Sequence, residues 1–240
     1  TTPSMFQPNS QSICCQASSA PVNFVGTASS YSWTANSSSP LLTGFSSAGN
    51  GDIPANVLTN NSSTPQNIVY LVTPSNQGCN GTPVQFNISV MPCLSVSVPS
   101  DQYYCAGESV PAYVFSGVGQ TYSWVNTNTS IGLQNAGINF VQNFVAQNTT
   151  STTQVATITV TPNFMGCAGA AQSYSISIYP LPLVDAGLDQ EVCSGGSVTL
   201  NASGAPNLIW DNGVVNGQTF IPNATTTYNV IGTDGNGCQN

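Results

Sequence analysis

Q154VATITVTPNFMGCAGAAQSYSISIYP180 decides how this chain is read. In QSYSISIYP, Tyr174, Ile176 and Ile178 alternate with serines, and QVATITVTP alternates in the same way. A period of two is the signature of a half-buried strand. Between the two runs stands NFMGCAG, a glycine-bounded turn holding Cys167. The same strand-then-turn order recurs at NQGCNG, with Cys79, and at TYNVIGTDGNGC, with Cys238.

Working outward, the whole chain repeats. Cys15, Cys105 and Cys193 stand 90 and 88 residues apart, and each is followed by a tryptophan, Trp33, Trp124 and Trp210. A Gly-Cys turn comes next in every unit. C15QASSAP aligns with C105AGESVP, and SYSW (30–33) with TYSW (121–124). VQFNISVMP (84–92) and QSYSISIYP (172–180) close the first two units. A period carried by this many separate marks defines a tandem repeat. Boundaries fall near 92–94, at MPC (91–93), and near PLP (180–182), where proline makes short, stiff connections. The domains read as 1–92, 93–181 and 182–240, the third lacking its last strand.

Val, Ile, Thr, Tyr and Phe dominate the short runs, which Gly, Pro, Asn and Ser interrupt at turns. No segment has a sustained helical period. Units of this size, with six to eight such strands, predict an all-β fold of immunoglobulin-like sandwiches. Trp33, Trp124 and Trp210 then lie on the third strand of each unit. A sugar-stacking platform is the functional alternative for them, but their recurrence at one place favours the core.

Composition excludes more than any motif suggests. The chain of 240 residues has no Lys, Arg or His, and its eight acids give a net charge of −8. Charged residues are 3% of it, against roughly a quarter in ordinary domains. Without cations, neither nucleic acid nor an anionic membrane surface is a partner. Nucleophile–base pairs and histidine-containing zinc sites cannot be assembled. A two-carboxylate mechanism stays formally open, but the acids are scattered. The chain reads as a non-enzyme. Its apolar runs, such as IVYLV (68–72), are too short to span a bilayer, so direct membrane insertion is not expected. Eight cysteines in turn-like sequence point to disulfides and an oxidising compartment. No CxxC spacing supports zinc. No signal peptide is visible, so the sequence reads as a mature segment of something longer.

L58TNNSSTPQNIVYLVTPSNQGCNGTPVQFNISVMP, with ICCQASSAPVNF…YSW upstream, resembles the PKD-like repeats of very large secreted surface proteins. V184DAGLDQEVCSGGSVTLNASG…TTTYNVIGTDGNGC is similar to the related Ig-like repeats of gliding-motility adhesins exported by the type IX secretion system. The resemblance implies extracellular tandem β-sandwiches serving as the stalk of a surface adhesin or filament, and it implies no catalytic residue. The implied partners are neighbouring repeats of the same chain, with surface polysaccharide or other cells as ligands of the parent protein. An accessory or carbohydrate-binding module of a secreted protein is the alternative.

Two cysteine schemes stand open. Pairing within each unit joins Cys15–Cys79, Cys105–Cys167 and Cys193–Cys238. In the usual sandwich, however, the first cysteine and the Gly-Cys turn lie at opposite ends of strands roughly 26 Å long. Disulfide Cα atoms lie within about 7 Å. Head-to-tail stacking into a rod instead brings the first cysteine of one unit to the Gly-Cys turn of the next. That scheme gives Cys15–Cys167 and Cys105–Cys238, with Cys14–Cys93 at the first junction and Cys79 and Cys193 left for neighbours.

Asp185, Asp189 and Glu191 are the only local cluster of acids. They are a candidate Ca²⁺ site, with Asp234 as a further ligand. Without DxDxD spacing, a solvated edge strand is the favoured reading. No other cofactor is implied. Nine Asn-x-Ser/Thr sequons occur, at Asn36, Asn60, Asn61, Asn80, Asn87, Asn128, Asn148, Asn201 and Asn223. In a chain this rich in Asn, Ser and Thr they are a weak sign of glycosylation.

Overall fold

A computed structural model describes residues 2–240 as an all-β protein, apart from one 3₁₀ turn at Thr129–Ile131. Two compact units divide the chain. One comprises Thr1–Val98, Val114–Trp124 and Val160–Gln172; the other comprises Pro99–Tyr113, Val125–Thr159 and Ser173–Asn240. The units do not follow the repeats, since strands of the second repeat belong partly to each.

The first repeat builds a sheet in the order Gln11–Ile13, Val84–Val90, Gln66–Asn76, Ser30–Ser37, Ala48–Asn50, with Cys79–Asn80 folded back on Gln66–Asn76. The first pair is parallel and the others are antiparallel. Alternation explains the sheet. Ile68, Tyr70 and Val72 face inward from one strand, and Phe86, Ile88 and Val90 from its neighbour. Trp33 stands opposite Val72, and Tyr70 opposite Phe86. The Tyr70 ring stacks on Phe86 at 5.0 Å and meets Trp33 edge-on at 5.7 Å, a favoured aromatic geometry. Short pairings, Leu42–Thr43 with Thr59–Asn60 and Val22 with Ile53, form the facing layer. Val22, Leu42, Ile53 and Leu58 close the core from that side. These are the two layers of an immunoglobulin/PKD-like sandwich.

The second repeat has the same order: Gln102–Cys105, Gln172–Tyr179, Gln154–Phe164, Thr121–Asn126, Ala136–Ile138, with Cys167–Ala168 on Gln154–Phe164. Its outer pair is again parallel. Tyr174, Ile176 and Ile178 are buried where Phe86, Ile88 and Val90 are in the first repeat. In the third repeat Asn207–Trp210 pairs with Val230–Thr233, placing Trp210 opposite Val230 as Trp33 stands opposite Val72. Val198–Thr199 pairs with Thr219–Phe220. Beyond the last Gly-Cys turn, Gln239 bridges Thr233, and Asn240 exchanges backbone hydrogen bonds with Gly232.

Candidate functional site

Six of the eight cysteines mark two kinds of turn, and each kind recurs in every repeat. The first is led by a cysteine carbonyl that accepts a hydrogen bond from the third residue on. Ala17 N–H donates to Cys14 at 3.1 Å, Glu108 to Cys105 at 3.1 Å, and Gly196 to Cys193 at 2.8 Å. The residue between them has positive φ: Gln16 at 62°, Gly107 at 88° and Gly195 at 81°. Glycine is the ordinary occupant of that position. Gln16 takes it in the first repeat, which hid the equivalence of the three turns. The second kind is the Gly-Cys turn, where Gly78, Gly166 and Gly237 have φ of 81°, 84° and 88° ahead of Cys79, Cys167 and Cys238.

Three disulfides connect them. Cys14 is bonded to Cys167 with Cα atoms 5.6 Å apart, and Cys105 to Cys238 at 5.5 Å. Each joins the cysteine-led turn of one repeat to the Gly-Cys turn of the next. Cys15 is bonded to Cys93 at a Cα separation of 4.9 Å. Cys79 and Cys193 are free and exposed.

This corrects the expected partners of the two consecutive cysteines: the structure has Cys14–Cys167 and Cys15–Cys93, not Cys15–Cys167 and Cys14–Cys93. Aligning Cys15 with Cys105 was off by one residue, because the turn geometry makes Cys14 the counterpart of Cys105. Ile13 runs parallel to Val90, and Met91 N–H donates to the Ile13 carbonyl at 2.9 Å. The two strands therefore leave the sheet together, which brings Cys15 to Cys93 and turns Cys14 away. The within-repeat pairs Cys15–Cys79, Cys105–Cys167 and Cys193–Cys238 do not form.

Asn60 braces the first joint. Its Nδ2 donates to the Val90 and Thr64 carbonyls, both at 2.9 Å, and its Oδ1 accepts from Ser62 N–H and Oγ. Its own carbonyl accepts from Cys93 N–H at 2.9 Å, and the side chain is fully buried. Asn148 makes the matching set, with Nδ2 donating to Thr152 and Ile178 at 2.8 Å and Oδ1 accepting from Thr150. Two sequons thus hold the closing strand of their repeats rather than offering a free amide. The repetition of N60NSSTPQ as N148TTSTTQ was the available signal.

In the third repeat, Asp234 accepts from Asn236 N–H at 2.8 Å and Cys238 N–H at 2.9 Å. Desolvation pulls its carboxyl upward, but hydrogen bonds from Cys238, Asn236 and Gly237 together outweigh that and hold its pKa below the ordinary value. Asp234 therefore shapes the Gly-Cys turn. Asp185 spends a carboxylate oxygen on Gly187 N–H at 2.9 Å, while Asp189 and Glu191 are exposed. Among the described residues no three His, Cys, Asp or Glu side chains gather to hold a metal. The tryptophans are core residues: Trp33, Trp124 and Trp210 are 7%, 1% and 6% exposed. Trp33 Nε1 donates to Gly51 O at 3.1 Å, and Trp210 Nε1 to Asn216 Oδ1 at 3.0 Å.

Residues 11–93, which cover most of the first repeat, match the family model of the PKD-like domain. No curated protein sequence matches the chain. Similar solved structures include three Ig domains of titin, I67–I69, at 12% identity and a TM-score of 0.49, covering 95% of this chain and 92% of that one. Mouse cadherin-23 EC22–24 is similar at 11% identity and a TM-score of 0.43, covering 98% and 94%. DIP-gamma IG1+IG2 is similar at 8% and 0.42, covering 75% and 98%. The fold assignment rests on the strand order. Among the described residues no helix is long and apolar enough to cross a membrane, and disulfides of this kind persist in oxidising environments.

Proposed function

We propose that the chain is a structural segment of the stalk of a secreted cell-surface adhesin or filament. Three repeats, 1–92, 93–181 and 182–240, form a stiff rod that serves adhesion or gliding, exported in the manner of type IX-secreted adhesins. One observation carries this reading: each repeat is covalently joined to its successor, by Cys14–Cys167 and Cys105–Cys238. Tandem domains ordinarily flex at their linkers. A disulfide beside a short proline-bounded connection removes that freedom. The absence of Lys and Arg supports the reading too, since such a surface has no basic protease site and no attraction for anionic surfaces.

Small-angle scattering tests the proposal. A compact globule of this length has a radius of gyration of about 18 Å. The oxidised chain is expected well above that value, with a broader distribution of dimensions after reduction. A value near the compact figure, or scattering indifferent to reduction, would overturn the stalk. A second reading, a carbohydrate-binding module, is favoured by Tyr103, whose ring is 59% exposed and stacks on Tyr179. Polysaccharide binding that is lost in Tyr103→Ala would establish it.

A further inference from the structure

Cys79 and Cys193 are one of each kind. Cys193 leads the same turn as Cys14 and Cys105, with the same hydrogen bond to its carbonyl and the same positive φ two residues on. Cys79 ends the same turn as Cys167. Gln77 and Gly78 have φ of 47° and 81°, as Met165 and Gly166 have 44° and 84°. Behind that turn Gly81 N–H donates to Pro74 O at 2.8 Å, as Gly169 does to Pro162 O at 2.9 Å. Both bonded counterparts of Cys193, Cys14 and Cys105, pair with a Gly-Cys turn, and both bonded counterparts of Cys79, Cys167 and Cys238, pair with a cysteine-led turn.

We infer that Cys193 and Cys79 are the two complementary halves of one further joint, and that the partner that fits is a repeat of this kind supplied by a second copy of the chain. Cys193 of one copy takes the Gly-Cys turn holding Cys79 of another. The inference rests on the stalk reading and extends it from this chain to a covalent, directional assembly. Both turns already have the backbone geometry of the bonded joints, so little ordering remains to be done on association. In forming the bond, each thiol loses a proton and the sulfurs join. Two electrons pass to oxidised glutathione, whose S–S bond breaks to give two glutathione thiols.

The test uses the full chain as Cys79→Ser, as Cys193→Ser, and unaltered, each in a glutathione redox buffer. Mixing the two variants should give the Cys193–Cys79 heterodimer in about tenfold excess over either homodimer. The unaltered chain should form a covalent ladder. A heterodimer no more than about twofold over either homodimer, the ratio that indiscriminate pairing gives, or an unaltered chain that stays monomeric with both thiols free, would overturn the inference. Mapping chymotryptic peptides without reductant separates the two ideas. Intact Cys14–Cys167 and Cys105–Cys238 with no joining defeats the further joint alone, whereas their absence defeats the stalk.

Discussion

Asn60 shows how much one side chain holds in place. It saturates its amide between Thr64 and Val90 while its backbone carbonyl takes Cys93 N–H, so it ties the closing strand to the loop before Gln66–Asn76. Asn60→Ala would remove the buried donor to the Val90 and Thr64 carbonyls and the acceptor of the half-buried Ser62 N–H. Leaving such groups unpaired costs about 1–3 kcal/mol. The expected loss of stability in urea unfolding is about 2 kcal/mol or more for Asn60→Ala. It should be smaller for the half-buried Asn148→Ala. Asn223 stands in the corresponding sequence N223ATTTY but is exposed, so Asn223→Ala should stay within about 0.5 kcal/mol of the parent. Equal effects at all three positions would show that the closing-strand contact is not what matters.

At the scale of elements, the Trp33 strand depends on a close approach. A Cβ on Gly49 would run into the Trp33 indole, which is already packed edge-on against Tyr70. Gly49→Ala should therefore push the ring off its place and cost about 1–3 kcal/mol, with loss of near-ultraviolet aromatic dichroism. An unchanged melt and spectrum would mean that the sheet yields there freely. The strands themselves were legible, because alternation such as Tyr174, Ile176 and Ile178 against serines leaves only one face for the core. The tryptophans were legible too, each standing 17 to 19 residues after a repeated cysteine. What misled was the first turn. Gly107 and Gly195 announce a positive φ two residues after their cysteines, but Gln16 announces nothing, so Cys15 was aligned where Cys14 belongs. Side-chain direction at two adjacent cysteines depends on the parallel pairing of Ile13 with Val90, which no local pattern reveals. The asparagine braces were hidden differently: their sequence also spells a sequon, and only the closing strand shows which meaning the fold uses.

The whole molecule carries an unusual charge inventory, and its response to pH follows from that. With no His, Lys or Arg, the groups that titrate are eight carboxylates, the two free thiols, the tyrosines and the chain ends. The chain has no histidine, the side chain whose ordinary pKa lies near neutrality, so stability should be flat from about pH 6 to 8 once Cys79 and Cys193 are both replaced by serine. On the acid side, the backbone N–H of Ser175 at 2.7 Å holds Asp101 below the ordinary carboxylate range, and Asp234 is lowered as well. A lowered folded pKa contributes stability that is present above the unfolded value of about 3.9 and is lost as pH falls through the folded one. On the alkaline side, burial, with smaller contributions from Tyr113 and Tyr104, pushes Tyr174 up to about 12. For an acid raised in the fold, the neutral form is the one the fold holds. Its contribution is whole below the unfolded value of about 10 and is lost as pH rises toward 12. Urea midpoints taken across this range should therefore trace a plateau that falls at both ends. The alkaline fall should shrink in Tyr174→Phe, which keeps the ring against the core and removes the titrating group. A slope between pH 6 and 8 in the serine variant, or an alkaline limb indifferent to Tyr174→Phe, would show that other groups govern the fold's response to pH.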